Sequence, residues 1–240
     1  MPKNIVFITA IEESMPLDYE EFCYKTWQWW CEKHGFILYV LKEPILDIKI
    51  MDSMWQRYFV YRVMKDKNID YDQIALVDLD TMVRWDCPDF FKLTNKELSV
   101  TVDHDSLGWI YKSINRCQQF FPDIELSWLD YFNCGFMIVS KKHKDLFDKV
   151  LNFYNHNINE LLKLGNEPDQ TLTNFLVKRH GYTVNFLPKT YNLAHLHRKD
   201  ILLNKYFINL GYVWHFNGFD KRLRSKIMGE TWKTIEKQYK

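Results

Sequence analysis

Asp78 and Asp80 stand two residues apart at the end of an apolar run, Ile74-Ala75-Leu76-Val77. A short, partly β-branched run followed at once by polar residues predicts a buried strand with two carboxylates at its carboxyl end. Carboxylates held that close repel each other unless a cation neutralises them. Their oxygens suit Mg²⁺ or Mn²⁺, with coordination positions left open for phosphate groups. Spacing alone is unspecific: 19 aspartates in 240 residues give about 1.5 Asp-x-Asp triplets by chance, and the chain has three. Asp70/Asp72 lies in a polar turn and reads as a solvated loop. Asp103/Asp105 follows another apolar run, Leu98 to Val102, and is the fallback metal site. The strand directly before Asp78 distinguishes that pair from Asp70/Asp72, although a structural turn would explain it as well.

Other chemistry-bearing residues are less specific. His215 precedes Phe216 in an apolar run, a setting in which histidine is ordinarily a core residue. His195 and His197, two apart, would share one face of a strand, but no carboxylate or cysteine is near them in sequence, so they read as structural. Residues 221–226 (Lys-Arg-Leu-Arg-Ser-Lys) form a basic segment. Such a run is most often a solvated helix face, though it also suits an anionic acceptor or peripheral contact with a lipid surface.

The elements that must position these groups follow from periodicity. Strands are expected at Asn4–Ala10, Phe36–Leu41, Ile74–Val77, Leu98–Val102, Gly135–Val139, Tyr182–Leu187 and Tyr212–Phe216. Helices are expected at Asp18–His34 (stopped by Gly35), Met51–Lys65, Lys142–Leu164 (closed by Gly165) and Pro168–His180. Strands alternating with helices imply an α/β fold with a mostly parallel sheet covered on both faces. In such sheets the ligand site lies beyond the carboxyl ends of the strands. With no linker or repeat, residues 1–240 read as a single domain. About 1–105 would form a Rossmann-like half that ends with the acidic pairs, and about 106–240 a second half.

Composition excludes more than it selects. Thirty-two Lys+Arg against 31 Asp+Glu leave a net charge of +1, so a nucleic-acid binder relying on broad positive charge is not expected. Apolar residues make up 47% of the chain, enough for a packed core rather than disorder. Five cysteines, none in a Cys-x-x-Cys pair, fit a reduced, cytoplasmic protein better than a disulfide framework. No signal peptide or apolar stretch of membrane-spanning length is read. Aromatics reach 17%, a surplus that could fill a core, stack on sugars or form an interface.

Asp78-Leu79-Asp80 taken with His215-Phe216-Asn217-Gly218-Phe219-Asp220-Lys221, of the form H-F-x-G-x-x-K, resembles the GT-A-fold glycosyltransferases, especially the retaining enzymes of family eight. Further segments match in the same order. Asn4-Ile5-Val6-Phe7 is similar to the family's first strand, and Arg57 to the arginine on the helix before the Asp-x-Asp. Tyr131-Phe132-Asn133-Cys134-Gly135-Phe136 is similar to its (Y/F)-N-A-G-(V/F) segment, Asp169-Gln170 to its D-Q pair, and Leu187 to Asn192 to its L-P-x-x-Y/F-N segment. The resemblance runs from about residue 4 to 222. A strand-end Asp-x-Asp also opens the haloacid-dehalogenase-like phosphohydrolases. Here, however, Met82 stands where that family has Thr or Val, the motif follows the third strand rather than the first, and no later G-D-x-x-x-D occurs.

The resemblance implies a metal-dependent transfer of a sugar from a nucleotide-diphosphate sugar to a carbohydrate or other hydroxyl acceptor, with retention. It implies Mn²⁺ (or Mg²⁺) on Asp78, Asp80 and His215, and Lys221 on the diphosphate with the Gly218 backbone close by. Thr9, Ala10 and Leu79 would lie along the nucleotide, Arg57 beside the acidic motif, and Asp169, Gln170 and Asn133 near the reacting sugar. Asp103 and Asn192 would lie toward the acceptor. Trp109 and Trp128 flank the unmatched stretch Ser106–Asp130 and are the candidates for stacking on an acceptor sugar. One departure bears on the base: Thr9 to Glu13 lacks the family's Asp and Tyr that grip uracil and ribose, so a GDP-sugar stands beside the favoured UDP-sugar. A phosphohydrolase using Asp78 as nucleophile and a non-catalytic nucleotide-sugar or glycan-binding module are the alternatives.

Overall fold

The structure is a computed structural model and describes residues 3–11, 19–164, 169–198 and 200–240. A six-stranded sheet has the order β2-β1-β3-β6-β5-β7, formed by β1 (Lys3–Thr9), β2 (Ile37–Leu41), β3 (Tyr71–Val77), β5 (Leu98–Val102), β6 (Phe132–Ser140) and β7 (Val184–Phe186). A separate two-stranded sheet pairs β4 (Thr81–Val83) with β8 (Val213–His215), antiparallel. The helices are α1 (Lys25–His34), α2 (Val60–Asp66), α3 (Leu107–Cys117), α4 (Lys144–Lys163), α5 (Asp169–Arg179), α6 (Phe207–Leu210) and α7 (Lys221–Ile235).

The sheet is mixed but mostly parallel. β1 runs parallel to β2 and β3, and β5 to β7, whereas β6 is antiparallel to both neighbours, β3 and β5. That reversal was not legible in the apolar pattern, because a strand buried on both faces reads the same in either direction. It matters for the site. The start of β6 lies at the same sheet edge as the end of β3, so Asp78 N donates to the Gly135 carbonyl at 2.9 Å.

Alternation along the strands feeds two cores. Ile5, Phe7, Ile74, Leu76, Met137 and Val139 face the side covered by α2, α4 and α5. Val6, Ile8, Ala75, Val77, Phe136 and Ile138 face Trp27 and Trp30 of α1. Most of the aromatic surplus is spent here. Trp30 stacks on Phe90 at 4.5 Å between centroids, and Phe121 on Phe175 at 4.6 Å. A third cluster, with Met82, Trp214, Phe207, Phe216 and Met228, joins the small sheet to α6 and α7.

Several boundaries differ from expectation. The helix expected at Asp18–His34 is α1 preceded by a π-helical lead-in, Tyr19–Tyr24, and Gly35 ends it in the left-handed region at φ 69°. Met51–Lys65 divides into a 3-10 segment, Ser53–Phe59, and α2. The strand expected at Tyr212–Phe216 belongs to the small sheet, and its partner β4, only three residues long, is too short to show a period. The unmatched stretch contains α3, and the basic segment opens α7. Asp18, Gly165 and Pro168 lie outside the described residues, as do Glu12 and Glu13. All five cysteines are buried and unpaired.

Candidate active site

A cavity of about 620 Å³ opens at the edge where β3 ends and β6 begins. Asp78 and Asp80 enter it from the turn between β3 and β4, and His215 from the end of β8. Pairing of Thr81 with His215 across the small sheet is what carries a residue 135 positions downstream onto the Asp-x-Asp turn. His215 Nε2 lies 3.1 Å from Asp80 Oδ1 and 3.6 Å from Asp78 Oδ2. One ligand atom from each of the three residues lies within 4.8 Å of the others.

The surroundings prepare this trio for a cation. Asn192 Nδ2 donates to Thr101 Oγ1 at 3.1 Å and to Asn133 Oδ1 at 3.0 Å, which orients its amide. Its Oδ1 is thereby left as acceptor for His215 Nδ1 at 3.0 Å. With Nδ1 as the donor, the neutral imidazole carries its lone pair on Nε2. That nitrogen is buried, makes no well-aligned hydrogen bond, and faces the carboxylate oxygens of Asp80 and Asp78; a lone pair set against carboxylates is an arrangement that a metal ion would relieve. Gly135 supplies the room. A Cβ there would sit 2.3 Å from His215 Cε1 and 2.7 Å from Asp78 Oδ2. The chemistry of the donors, two carboxylates and one imidazole, fits Mn²⁺ or Mg²⁺.

Charge in the site is locally paired. Arg57 NH2 lies 2.8 Å from Asp78 Oδ1, while its NH1 donates to the Cys134 carbonyl and its Nε to that of Met54, both at 2.9 Å. Burial opposes the Arg57 charge, but Asp78 and then Asp169 more than compensate and hold its pKa above the ordinary value. Burial pushes the Asp80 carboxyl up; His215 and Arg224 outweigh it and leave the group below its ordinary range. His215 shows the converse: burial disfavours its charge, and Asp80 and Asp78 raise its pKa above 6.5.

A hydrogen-bonded wall lies beside the trio. Gln170 Oε1 accepts from Cys134 N at 3.0 Å and Asn133 Nδ2 at 3.1 Å, and its Nε2 donates to Asp103 Oδ2 and the Tyr131 hydroxyl, both at 3.3 Å. Asp103, 3% exposed, has its other oxygen 3.2 Å from His195 Nε2. Burial raises the Asp103 carboxyl, and His195, Asn133 and Gln170 together bring it below the ordinary range.

The cavity thus gathers Arg57, Asp78, Asp80, Asp103, Trp109, Asn133, Asp169, Gln170, His215 and Gly218 from the expected residues. The remainder lie elsewhere. Asn192 is buried behind His215 rather than facing an acceptor. Trp128 is 45% exposed, edge-on to the His104 ring and outside the cavity lining. Ala10 is buried and, like Thr9 and Leu79, does not line the cavity. Lys221 is exposed and likewise outside the lining; Arg224, one turn on, reaches in. His195 and His197, read as structural, both line the cavity. They are not on a strand: His195 has φ 54°, and its backbone N donates to Asn217 Oδ1 at 2.7 Å. The His197 ring covers Gly218, where a Cβ would meet it at 2.5 Å. The His-x-His spacing was the one sequence cue to these two; nothing in the basic run distinguished Arg224 from its neighbours.

No family model and no curated protein matches the sequence. Solved structures do share the architecture. A glycosyltransferase involved in the glycosylation of the major capsid of PBCV-1 superposes with a TM-score of 0.65 at 11% identity, covering 95% of this chain and 100% of that one. The galactosyltransferase LgtC, in complex with donor and acceptor sugar analogs, gives 0.50 at 16% identity over 97% and 99%. The glycosyltransferase GlyE of Streptococcus pneumoniae TIGR4 gives 0.52 at 14%, covering 100% of this chain and 63% of that one. The fold is the GT-A glycosyltransferase fold. The sequence resemblance led to the same fold, and the Asp-x-Asp turn stands at the strand ends where an open α/β sheet presents its ligand site.

Proposed function

We propose that the chain is a metal-dependent glycosyltransferase resembling family eight. It moves a hexosyl group from a nucleotide-diphosphate sugar, UDP-sugar favoured and GDP-sugar second, to a hydroxyl of a glycan or other acceptor, with retention. The observation that carries this reading is the convergence of His215 Nε2 with the carboxylates of Asp78 and Asp80 at a large cavity in a GT-A fold. Asp78, Asp80 and His215 would hold Mn²⁺ or Mg²⁺. When bound, the cation neutralises charge on the leaving diphosphate.

The chain's own residues do the rest. Arg57 holds Asp78 in place through the 2.8 Å ion pair and ties the turn to the Cys134 carbonyl. Gln170 and Asn133 are fixed by bonds to one another and to Asp103, forming a preorganised polar wall beside the donor sugar. Gln170 carries no charge, and its amide is fully engaged, which favours an orienting role over that of a nucleophile and so supports same-face attack. Asp103 stays ionised to accept a hydrogen bond from the acceptor hydroxyl, and Trp109 offers a ring for an acceptor sugar. Five buried, unpaired cysteines suit a reducing compartment, and this reading places the work in the cytoplasm.

The test is to incubate the protein with UDP- and GDP-sugars, with and without Mn²⁺, and to follow nucleotide release. Mn²⁺-dependent release that Asp80→Ala abolishes is the expected result. Phosphate release from simple phosphomonoesters would instead establish a phosphohydrolase, and nucleotide binding without turnover across varied acceptors a binding module.

A further inference from the structure

α7 is a 15-residue helix whose first turn is capped by Asp220, the side chain accepting from Arg222 N and Leu223 N. With about 3.6 residues per turn, neighbouring basic residues on the helix diverge. Lys221, Arg222 and Lys226 are exposed. Arg224 turns inward with a side chain 14% exposed, lines the cavity, and sets its NH1 3.5 Å from Asp80 Oδ2. A guanidinium set in the wall of a cavity can turn donors toward an anion held there. Its planar fork of donors matches phosphate oxygens better than the point charge of an ammonium does.

Resting on the transferase reading, we propose that Arg224, rather than Lys221, is the cation that receives the donor's diphosphate, and that it shares Asp80 with the metal. Asp80 is flanked by His215 and Arg224 together. A divalent ion on Asp80 would compete with the guanidinium for that carboxylate, leaving NH1 available to a phosphate oxygen. Arg224 therefore acts with opposite sign on two ligands. It repels the metal ion and attracts the nucleotide, a combination that a brace for Asp80 would not produce.

The experiment measures Mn²⁺ alone, and UDP and GDP with saturating Mn²⁺, by calorimetry on the full chain. Arg224→Ala is expected to weaken UDP or GDP binding by about tenfold or more, and to bind Mn²⁺ alone as tightly as the parent, or up to about tenfold more tightly. Arg224→Lys, which keeps the charge and loses the fork, is expected to fall between parent and Ala for nucleotide, and it guards against a misfolded Ala variant. Arg222→Ala, exposed on the same helix, is expected to change neither affinity by more than about twofold. Parallel weakening of Mn²⁺ and nucleotide by both Arg224 variants would overturn the proposal in favour of a brace. So would nucleotide binding unaffected by Arg224→Ala while Lys221→Ala carries the loss. A parent protein that binds neither nucleotide with Mn²⁺ overturns the transferase reading itself, and this assignment with it.

Discussion

Gly135 is the residue on which the metal trio depends most directly. Its missing Cβ is the space that His215 Cε1 and Asp78 Oδ2 occupy, so Gly135→Ala must displace one of them. Mn²⁺ titration is expected to show affinity reduced by at least about tenfold, and denaturant melts a stability loss of about 1–3 kcal/mol for overpacking. pH acts on the same trio with a definite sign. In the cation-free protein the raised His215 pKa contributes stability that is complete below 6.5 and lost as pH rises through the raised value. The depressed Asp80 contributes stability present above 3.8 and lost as pH falls through its lowered value. Cation binding requires neutral imidazole and expels the His215 proton. Mn²⁺ affinity is therefore expected to climb as pH rises through the raised His215 value, with proton release seen as a buffer-dependent calorimetric enthalpy. A flat profile with no proton release would contradict the ligand role of His215.

Among the elements, the short ones do the positioning. β4 and β8 have three residues each, yet their pairing brings His215 to the Asp-x-Asp turn. Trp27 of α1 anchors that pair, its Nε1 donating to Thr81 Oγ1 at 2.9 Å. α7 is aimed by its cap. Asp220→Ala is expected to cost about 1 kcal/mol in urea unfolding and Asp220→Asn only a few tenths, because Asn caps almost as well. The same Ala variant should weaken nucleotide binding by loosening the turn that points Arg224 inward. An Asp220→Ala protein with unchanged stability would show that packing against Met82 and Trp214, not the cap, holds the helix.

For the whole molecule, near-neutral charge and a site of paired local charges give one account of anion binding. A diphosphate would be met by a cation and a few guanidiniums inside the cavity, not by a general field. Metal binding to the native state alone must then stabilise the entire fold. At 100 times Kd the gain is about 2.7 kcal/mol, which for a chain of this size raises Tm by roughly 5–10 °C. Thermal scans with and without Mn²⁺ check this. The shift should vanish in Asp80→Ala, and a shift that survives there would locate the ion elsewhere.

Strand-forming runs and the order of motifs were legible in the residues because strong periodicity and an ordered set of short motifs are local or collinear properties. They led to an α/β sheet, to the GT-A fold and to Asp78, Asp80 and His215 as one group. Direction of β6, the inward turn of Arg224, the place of Asn192 behind His215 and the entry of His195 and His197 into the cavity were not. Each depends on which atoms meet across the fold: a pairing register, a helix cap, an amide held by Thr101 and Asn133, a loop locked by Asn217. Sequence order records which side chains are available. Packing of distant segments against one another decides which of them share a volume of space.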